Sequence, residues 1–404
     1  MTTTPRFSRR ALVGGAAASV GMVGLGAAGG AAAQAHQAST AGWGEEAIRP
    51  FYGTHQTAVE APPTAFARFL TFDLLEGVDE AGIRRMLRII TEDSADLCAG
   101  RSPLADSEPE LALVPANLMV MVGFGPELVR RAAGTSALPQ WLRPLPPFEI
   151  DALNPRYTGG DLLVIVQADD PVTISHAARV LTRQTTSYLT LRWRQDGFRR
   201  SRGSEPAGVT MRNLFGQVDG TKGPHPHDET FARYVWGEGV SGSNPGWLDG
   251  GTGYVLRRIQ MNLDLWDTVD RPDRERAIGR DLAHGAPLTG GSEHDAPDFD
   301  ARDSLGLPVI PDFAHMRRAH AVGADDVIAR RGYNYETDAT EEGVSEAGLL
   351  FEAFAHDPQR QFVPIQQRLA QMDMMNLWTT PIGSAVYAIP PGCQPGGYLG
   401  DTLV

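Results

Sequence analysis

Short apolar runs alternate with amphipathic stretches in one order that recurs along the chain, and that order most restricts the folds open to this sequence. Residues 66–75 (Phe-Ala-Arg-Phe-Leu-Thr-Phe-Asp-Leu-Leu) read as a strand. From Asp79 to Ile90 the apolar residues Ile83, Met86, Leu87 and Ile90 keep the spacing of one helix face. Leu118–Phe124 and Leu162–Ala168 are further short apolar runs, Thr173–Thr186 reads as helix, and Tyr188–Trp193 closes the first half. The second half follows the same plan, with strands expected at Gly216–Val218, Tyr254–Asp267 and Ala385–Ile389 and helices at Arg271–Gly279 and Pro358–Asp373. Strand, helix, strand, strand, helix, strand, written twice, implies a duplicated α+β fold. His284–Pro311, rich in Gly, Pro and Asp, is too long for an ordinary connection and reads as a functional or disordered loop.

Ahead of this pattern, Ser8-Arg9-Arg10-Ala11-Leu12-Val13 leads into a Gly/Ala-rich run ending at Ala33-Gln34-Ala35. This reads as a twin-arginine export signal with a small-residue cleavage site, which makes the translocase a transient partner and the destination extracellular, cell-envelope or periplasmic. The run has too few Leu, Ile or Phe for a stable membrane span. The expected division is 1–35 signal, 36–64 lead-in, 65–210 first domain and 211–404 second domain.

The chain carries a formal charge of −13, and the first 35 residues hold three arginines and no acid, so the mature form is more acidic still. No basic cluster remains to meet phosphates, which argues against nucleic acid and for a small or neutral ligand. Two cysteines, Cys98 and Cys393, are too few for a disulfide scaffold or an iron–sulfur site, and no CxxCH haem attachment is present. They could pair after export or stay buried as thiols. HExxH and GxSxG are also absent, so zinc hydrolysis and serine chemistry lack support.

Two clusters carry candidate chemistry. Gly216-Gln-Val-Asp219-Gly220-Thr221 places an aspartate between glycines, a pattern that also suits an ordinary turn. Ala314-His315-Met-Arg-Arg-Ala319 follows the long loop, and Arg330-Arg331-Gly-Tyr-Asn-Tyr335 comes fifteen residues after His315.

GxxDG at Gly216–Gly220, AHxRxA at Ala314–Ala319, RRGYxY at Arg330–Tyr335, GLLFxAF at Gly348–Phe354 and GSAxxAxPPG at Gly383–Gly392 stand in the order found in dye-decolourising peroxidases, which the chain resembles. Pro50–Gln56 also resembles that family's start, so the likeness spans nearly the whole mature chain. With the export signal it is similar to the exported deferrochelatase/peroxidase-like branch. The resemblance implies two ferredoxin-like domains, each an antiparallel sheet with flanking helices, and non-covalent haem b in the second.

It further implies His315 as axial iron ligand, Asp219 as distal acid/base, and Arg330 as distal cation stabilising negative charge on the departing oxygen. Gly220, Thr221 and Lys222 match the stretch along the haem edge, Arg330 and Arg331 are placed toward the cofactor, and Arg331 suits a propionate. Gly223 departs from the family, which often has asparagine there. Asp373 is the candidate carboxylate behind His315. Leu350, Phe351 and Phe354 would supply a dry wall, and Tyr254, Trp266, Tyr333 and Trp378 could pass electrons from bulky substrates at the surface.

An aspartate, with a reference pKa of about 3.9, remains a base where a histidine near 6.5 is already protonated, so an acidic optimum is expected. The implied activity is reduction of hydrogen peroxide with oxidation of small phenolic or dye-like aromatics. Iron recovery from haem and non-catalytic haem delivery are the alternatives, and a homo-oligomer is compatible with either.

Overall fold

The computed structural model describes residues 48–404 except 207, 227, 241, 243 and 338–345. The export signal therefore lies outside the described residues, and Ala47–Val404 forms one compact unit.

Eight strands order the unit: β1 Phe66–Leu74, β2 Met119–Phe124, β3 Leu162–Ala168, β4 Leu189–Phe198, β5 Thr252–Met261, β6 Ala329–Thr337, β7 Glu346–Ala355 and β8 Thr379–Ile389. Each half makes an antiparallel sheet with the first strand central, β4-β1-β3-β2 and β8-β5-β7-β6. That is the ferredoxin-like order, present twice as the repeated pattern implied.

The sheets meet edge to edge and close into a barrel through one residue pair at each seam, Phe124 with Ala388 and Phe198 with Asn334. So thin a seam needs close backbones and extra bonds. A Cβ on Gly123 would lie 2.9 Å from Ile389, and one on Gly197 would lie 2.6 Å from Cβ of Tyr333. Gln56, buried in the lead-in segment, stitches the first seam by donating to the carbonyls of Val122 and Pro390 and accepting from the Val122 amide. At the second seam Arg199 donates to the Gly332 carbonyl.

Helices cover the outer faces. Among them are α1 Glu80–Cys98, α2 Pro171–Gln184, α3 Leu263–Asp267, α4 Arg271–Ile278, α5 His315–Ala319 and α6 Pro358–Met372. Asp79 caps α1 by accepting from the Gly82 amide, and Ile83, Met86, Leu87 and Ile90 form its buried face. Asp170, Asp270 and Asp357 cap α2, α4 and α6 in the same way, each with proline in the first turn. β3 is buried along its whole length because α1 and α2 cover one face and the barrel interior the other.

Three expectations for the second half are corrected. Gly216–Val218 is no strand of the sheet but half of a small hairpin, bridged from Val218 to Arg212. The apolar run from Tyr254 to Asp267 breaks after Met261, where Asn262 caps the short helix α3. The missing strands are β6 and β7, whose residues were legible as motifs and not as strands. His284–Pro311 is a chain of aspartate-capped turns with local bridges Arg280–Pro287 and Arg302–Pro308.

Candidate active site

Asp219 ends the hairpin that begins at Met211. Its amide donates to the Met211 carbonyl, and Gly216 and Gly220 adopt φ of 78° and 118°. Both glycines of GxxDG thus occupy left-handed backbone that a Cβ disfavours, which is why the motif needs glycine on either side of the aspartate. The hairpin is held from outside by Glu293 of the long loop, which accepts from Thr210 at 2.6 Å and Thr221 at 2.9 Å.

Arg330 is the second residue of β6 and donates from Nη1 to Oδ1 of Asp219 at 2.7 Å. Asn213 donates to the other carboxylate oxygen at 3.2 Å. Burial alone would raise the Asp219 pKa, but the Arg330 charge and hydrogen bond, the nearby His315 and the Asn213 amide outweigh it and hold the carboxyl below its ordinary value.

His315 opens α5, and Asp373 caps the end of α6. The Met374 amide donates to the Phe313 carbonyl, so the two chain segments are tied beside these residues. Nδ1 of His315 stands 2.6 Å from Oδ2 of Asp373. Burial opposes a charge on this ring, yet the Asp373 carboxylate and the more distant Asp219 raise its pKa.

Asp219, Gly220, Lys222, Arg330, Arg331 and Phe351 share a cavity of about 320 Å³ at the barrel rim. Asp219 and Arg330 lie within electrostatic range of His315. With Nδ1 committed to Asp373, Nε2 is the nitrogen left to bind, and 34% of the side chain is open although burial dominates its environment. An imidazole backed by a carboxylate, near a carboxylate–guanidinium pair and with both thiols buried elsewhere, is a donor set that fits an iron porphyrin.

Other expected residues divide. Gly220 and Lys222 line the cavity, the Lys222 amine donating to the His294 carbonyl, whereas Thr221 turns its hydroxyl to Glu293. Arg331 also lines it, but two of its nitrogens donate to the Ala58 and Val59 carbonyls and its guanidinium lies over the Phe354 ring. Phe351 and Phe354 form wall as expected, while Leu350 points into the barrel and Leu349 takes its place. Tyr254, Trp266, Tyr333 and Trp378 are all buried, so none is a surface terminus for electrons; Trp266 and Trp378 pack edge to face at 5.0 Å. Asn213 and Glu293 were missed. Asn213 carried a readable signal as a turn former before the glycine, and Glu293 carried none within an acidic loop.

Fold and site together define a haem peroxidase. Family models for the Dyp-type peroxidase N-terminal and C-terminal domains match residues 56–199 and 210–394. The chain is 37% identical over 362 residues to a dye-decolorizing peroxidase of Thermobifida fusca, covering 86% of this chain and 83% of that one. It is 31% identical over 377 residues to a deferrochelatase of Escherichia coli O157:H7, covering 88% and 87%. Among solved structures, a DyP-type peroxidase from Cellulomonas bogoriensis superposes with a TM-score of 0.85 at 48% identity, covering 88% of this chain and 98% of that one. Ferric DtpA from Streptomyces lividans gives 0.83 at 33% identity, covering 88% and 97%. The chain belongs to the Dyp-type peroxidase family, and its cofactor is haem.

Proposed function

We propose that this protein reduces hydrogen peroxide at non-covalent haem b held by His315, with Asp219 as acid/base and Arg330 as the cation beside it, and oxidises phenolic or dye-like aromatics. The observation that carries this reading is the Asp219–Arg330 ion pair at the rim of one cavity, within electrostatic range of His315. Bound haem supplies the redox chemistry on peroxide.

The chain's own residues do the rest. Asp373 accepts from Nδ1–H of His315, fixing the tautomer that leaves Nε2 as ligand and making the ring a stronger donor. Oδ2 of Asp219, shared only with Asn213, takes the proton from the near oxygen of peroxide and returns it to the leaving oxygen, so that the O–O bond breaks toward water. Arg330 holds that carboxyl deprotonated and offsets negative charge on the leaving oxygen. Phe351 and Phe354 keep one wall apolar.

Iron recovery is the second reading, supported by the 31% identity to the deferrochelatase. The higher identity to the dye-decolorizing peroxidase and the intact Asp219–Arg330 pair favour the first, since removing iron from haem calls for no peroxide acid/base. The division at 210/211 is supported by the family models, one ending at 199 and the other starting at 210. Export through the twin-arginine route is proposed from Arg9 and Arg10, the Gly/Ala-rich run and Ala33-Gln34-Ala35, and replacing both arginines by lysine should strand the protein in the cytoplasm. No helix among the described residues is long and apolar enough to cross a membrane.

The deciding experiment is the visible spectrum of purified protein before and after one equivalent of peroxide. A haem Soret band that changes on addition and recovers with a phenolic reductant supports the proposal. A haem-loaded protein inert to peroxide overturns it.

A further inference from the structure

Alternation along β7 turns Leu350, Glu352 and Phe354 into the barrel. Glu352 is fully enclosed there. Its Oε2 accepts from the Tyr254 hydroxyl at 2.9 Å, and its Oε1 has no hydrogen-bond partner. Seven more enclosed side-chain atoms on the barrel strands also lack one. Two of them, Nε of Arg257 and Oδ1 of Asn334, belong to residues that bond away from the interior, to Asp151 and Arg212; the five that face inward are Oγ1 of Thr71, Nε2 of Gln167, Nε1 of Trp193, Nη1 of Arg258 and the Tyr335 hydroxyl. With Glu352 they come one each from β1, β3, β4, β5, β6 and β7. A dry interior would leave all six polar atoms unmet, and enclosed groups of this kind are ordinarily satisfied by internal water.

This polar interior reaches the active-site cavity at one end. Arg331 is the cross-strand partner of Glu352, and Arg331, Arg199 and Phe354 all line the cavity. At the other end Arg258 donates to Glu346 at 3.1 Å, and Glu346 is 26% exposed. The groups facing Glu352 are Tyr254 from β5, Arg331 from β6 and Arg199 just beyond β4. Burial raises the Glu352 pKa; Arg331, the Tyr254 hydroxyl and Arg199 oppose it without cancelling it, so the acid keeps its proton above the usual carboxyl range.

Peroxide reduction consumes protons: H2O2 + 2e⁻ + 2H⁺ gives two waters. Each of two aromatic reductants gives up one electron and leaves its own proton in the bulk solvent. Asp219 returns the proton it borrows, so it is no net source, and two protons per turnover must enter from solvent.

We propose that Glu352 is the acid of a hydrated proton relay through the barrel, running from the Arg258–Glu346 mouth to the cavity beside Arg331. In each transfer the Glu352 O–H bond breaks, its proton passes to water on the cavity side, and the carboxylate regains a proton from water on the far side. Glu352 acts through water and touches neither haem nor peroxide. The inference rests on haem and peroxide occupying the cavity of Asp219 and Arg330.

The test uses the haem-loaded enzyme with peroxide and ferrocyanide, a one-electron donor that releases no proton. Infrared spectra of the wild type across a pH series should contain a carboxylic-acid C=O band that persists above the usual carboxyl range, shifts in D2O and is absent from Glu352→Gln. Proton uptake during reduction, followed with a pH indicator, should slow in Glu352→Gln on the order of a hundredfold, a usual contribution for a placed acid. Glu352→Asp should restore much of it, which a purely structural carboxyl would not require. Absence of the acid band from the wild type overturns the proposal, as does uptake in Glu352→Gln at the wild-type rate. If the glutamine variant fails to fold, Glu352→Asp decides: an acid band moved from the wild-type frequency with uptake largely kept supports the relay, and an unmoved band assigns the acid to another carboxyl and overturns it. Failure of the underlying peroxidase reading is separate: it appears as wild-type peroxide reactivity in Asp219→Asn with Glu352 untouched.

Discussion

Nη1 of Arg330 lies 2.7 Å from Oδ1 of Asp219 although 111 residues separate them. One comes from a glycine-framed hairpin and the other is the second residue of β6, so only the folded sheet and the Glu293 clasp on the hairpin bring them together. The pair sets both the protonation state and the aim of the carboxylate.

Replacing Asp219 by Asn should therefore slow the first peroxide-dependent spectral change by about 10²–10⁴, the usual worth of a placed acid/base. Haem content should stay near wild type, since His315 and Asp373 are untouched. Stopped-flow absorbance with peroxide in excess measures both. A rate within about threefold of wild type would exclude Asp219 as the base.

The pH profile follows from the sign of the Asp219 shift. Arg330 lowers the folded-state pKa, so the carboxylate persists into acid and peroxide reactivity is lost only as pH falls through that depressed value. The same group stabilises the fold above its unfolded pKa, and that contribution also disappears as pH falls through the folded one. Arg330→Ala removes the largest influence holding the pKa down and leaves burial to raise it. The acid limb of kcat/KM for peroxide should move to higher pH, while Arg330→Lys should keep it closer to wild type. An unmoved limb in Arg330→Ala would assign it to another group.

Much of this site was legible in the sequence, for a physical reason in each case. GxxDG is readable because two left-handed backbone positions must flank the aspartate, and α1 because its buried face repeats at helical spacing. Strands β6 and β7 were not, since their residues mix arginine, glycine and aromatics where both sheet faces are enclosed and no alternation survives. Tyr254 and Tyr333 stood as candidate relays by residue type alone, which says nothing of burial. Both are enclosed once the two sheets close into the barrel. Glu293 acts through a loop whose acidic composition gave no sign of which acid mattered.

Asp373 should tune the iron through His315. Asp373→Asn weakens the acceptor behind Nδ1 and makes the ring a poorer donor, so the ferric/ferrous potential should rise and haem affinity fall by about 10–100-fold. Spectroelectrochemistry and haem transfer to an apo-globin read these two quantities. His315→Ala should lose haem outright. A potential unchanged in Asp373→Asn would mean the carboxylate serves only to cap the end of α6.

The seams offer a test of how the two sheets support the site. A Cβ at position 197 would meet Cβ of Tyr333 at 2.6 Å and Leu350 at 3.2 Å, and the Tyr333 Cβ is fixed by the β6 backbone, so it cannot yield cheaply. Gly197→Ala should destabilise the protein by about 1–3 kcal/mol, the range for a methyl forced into a crowded contact. Gly246→Ala is the control, because its nearest neighbour beyond the adjoining residues is 3.9 Å away and its thermal midpoint should match wild type. Tyr333 stands three residues after Arg330 on β6, so parting β4 from β6 also shifts the guanidinium against Asp219. Gly197→Ala should consequently lose peroxide reactivity in the folded protein as well as thermal stability. If only the melting temperature falls and the peroxide rate is retained, the seam supports the barrel without positioning the Asp219–Arg330 pair.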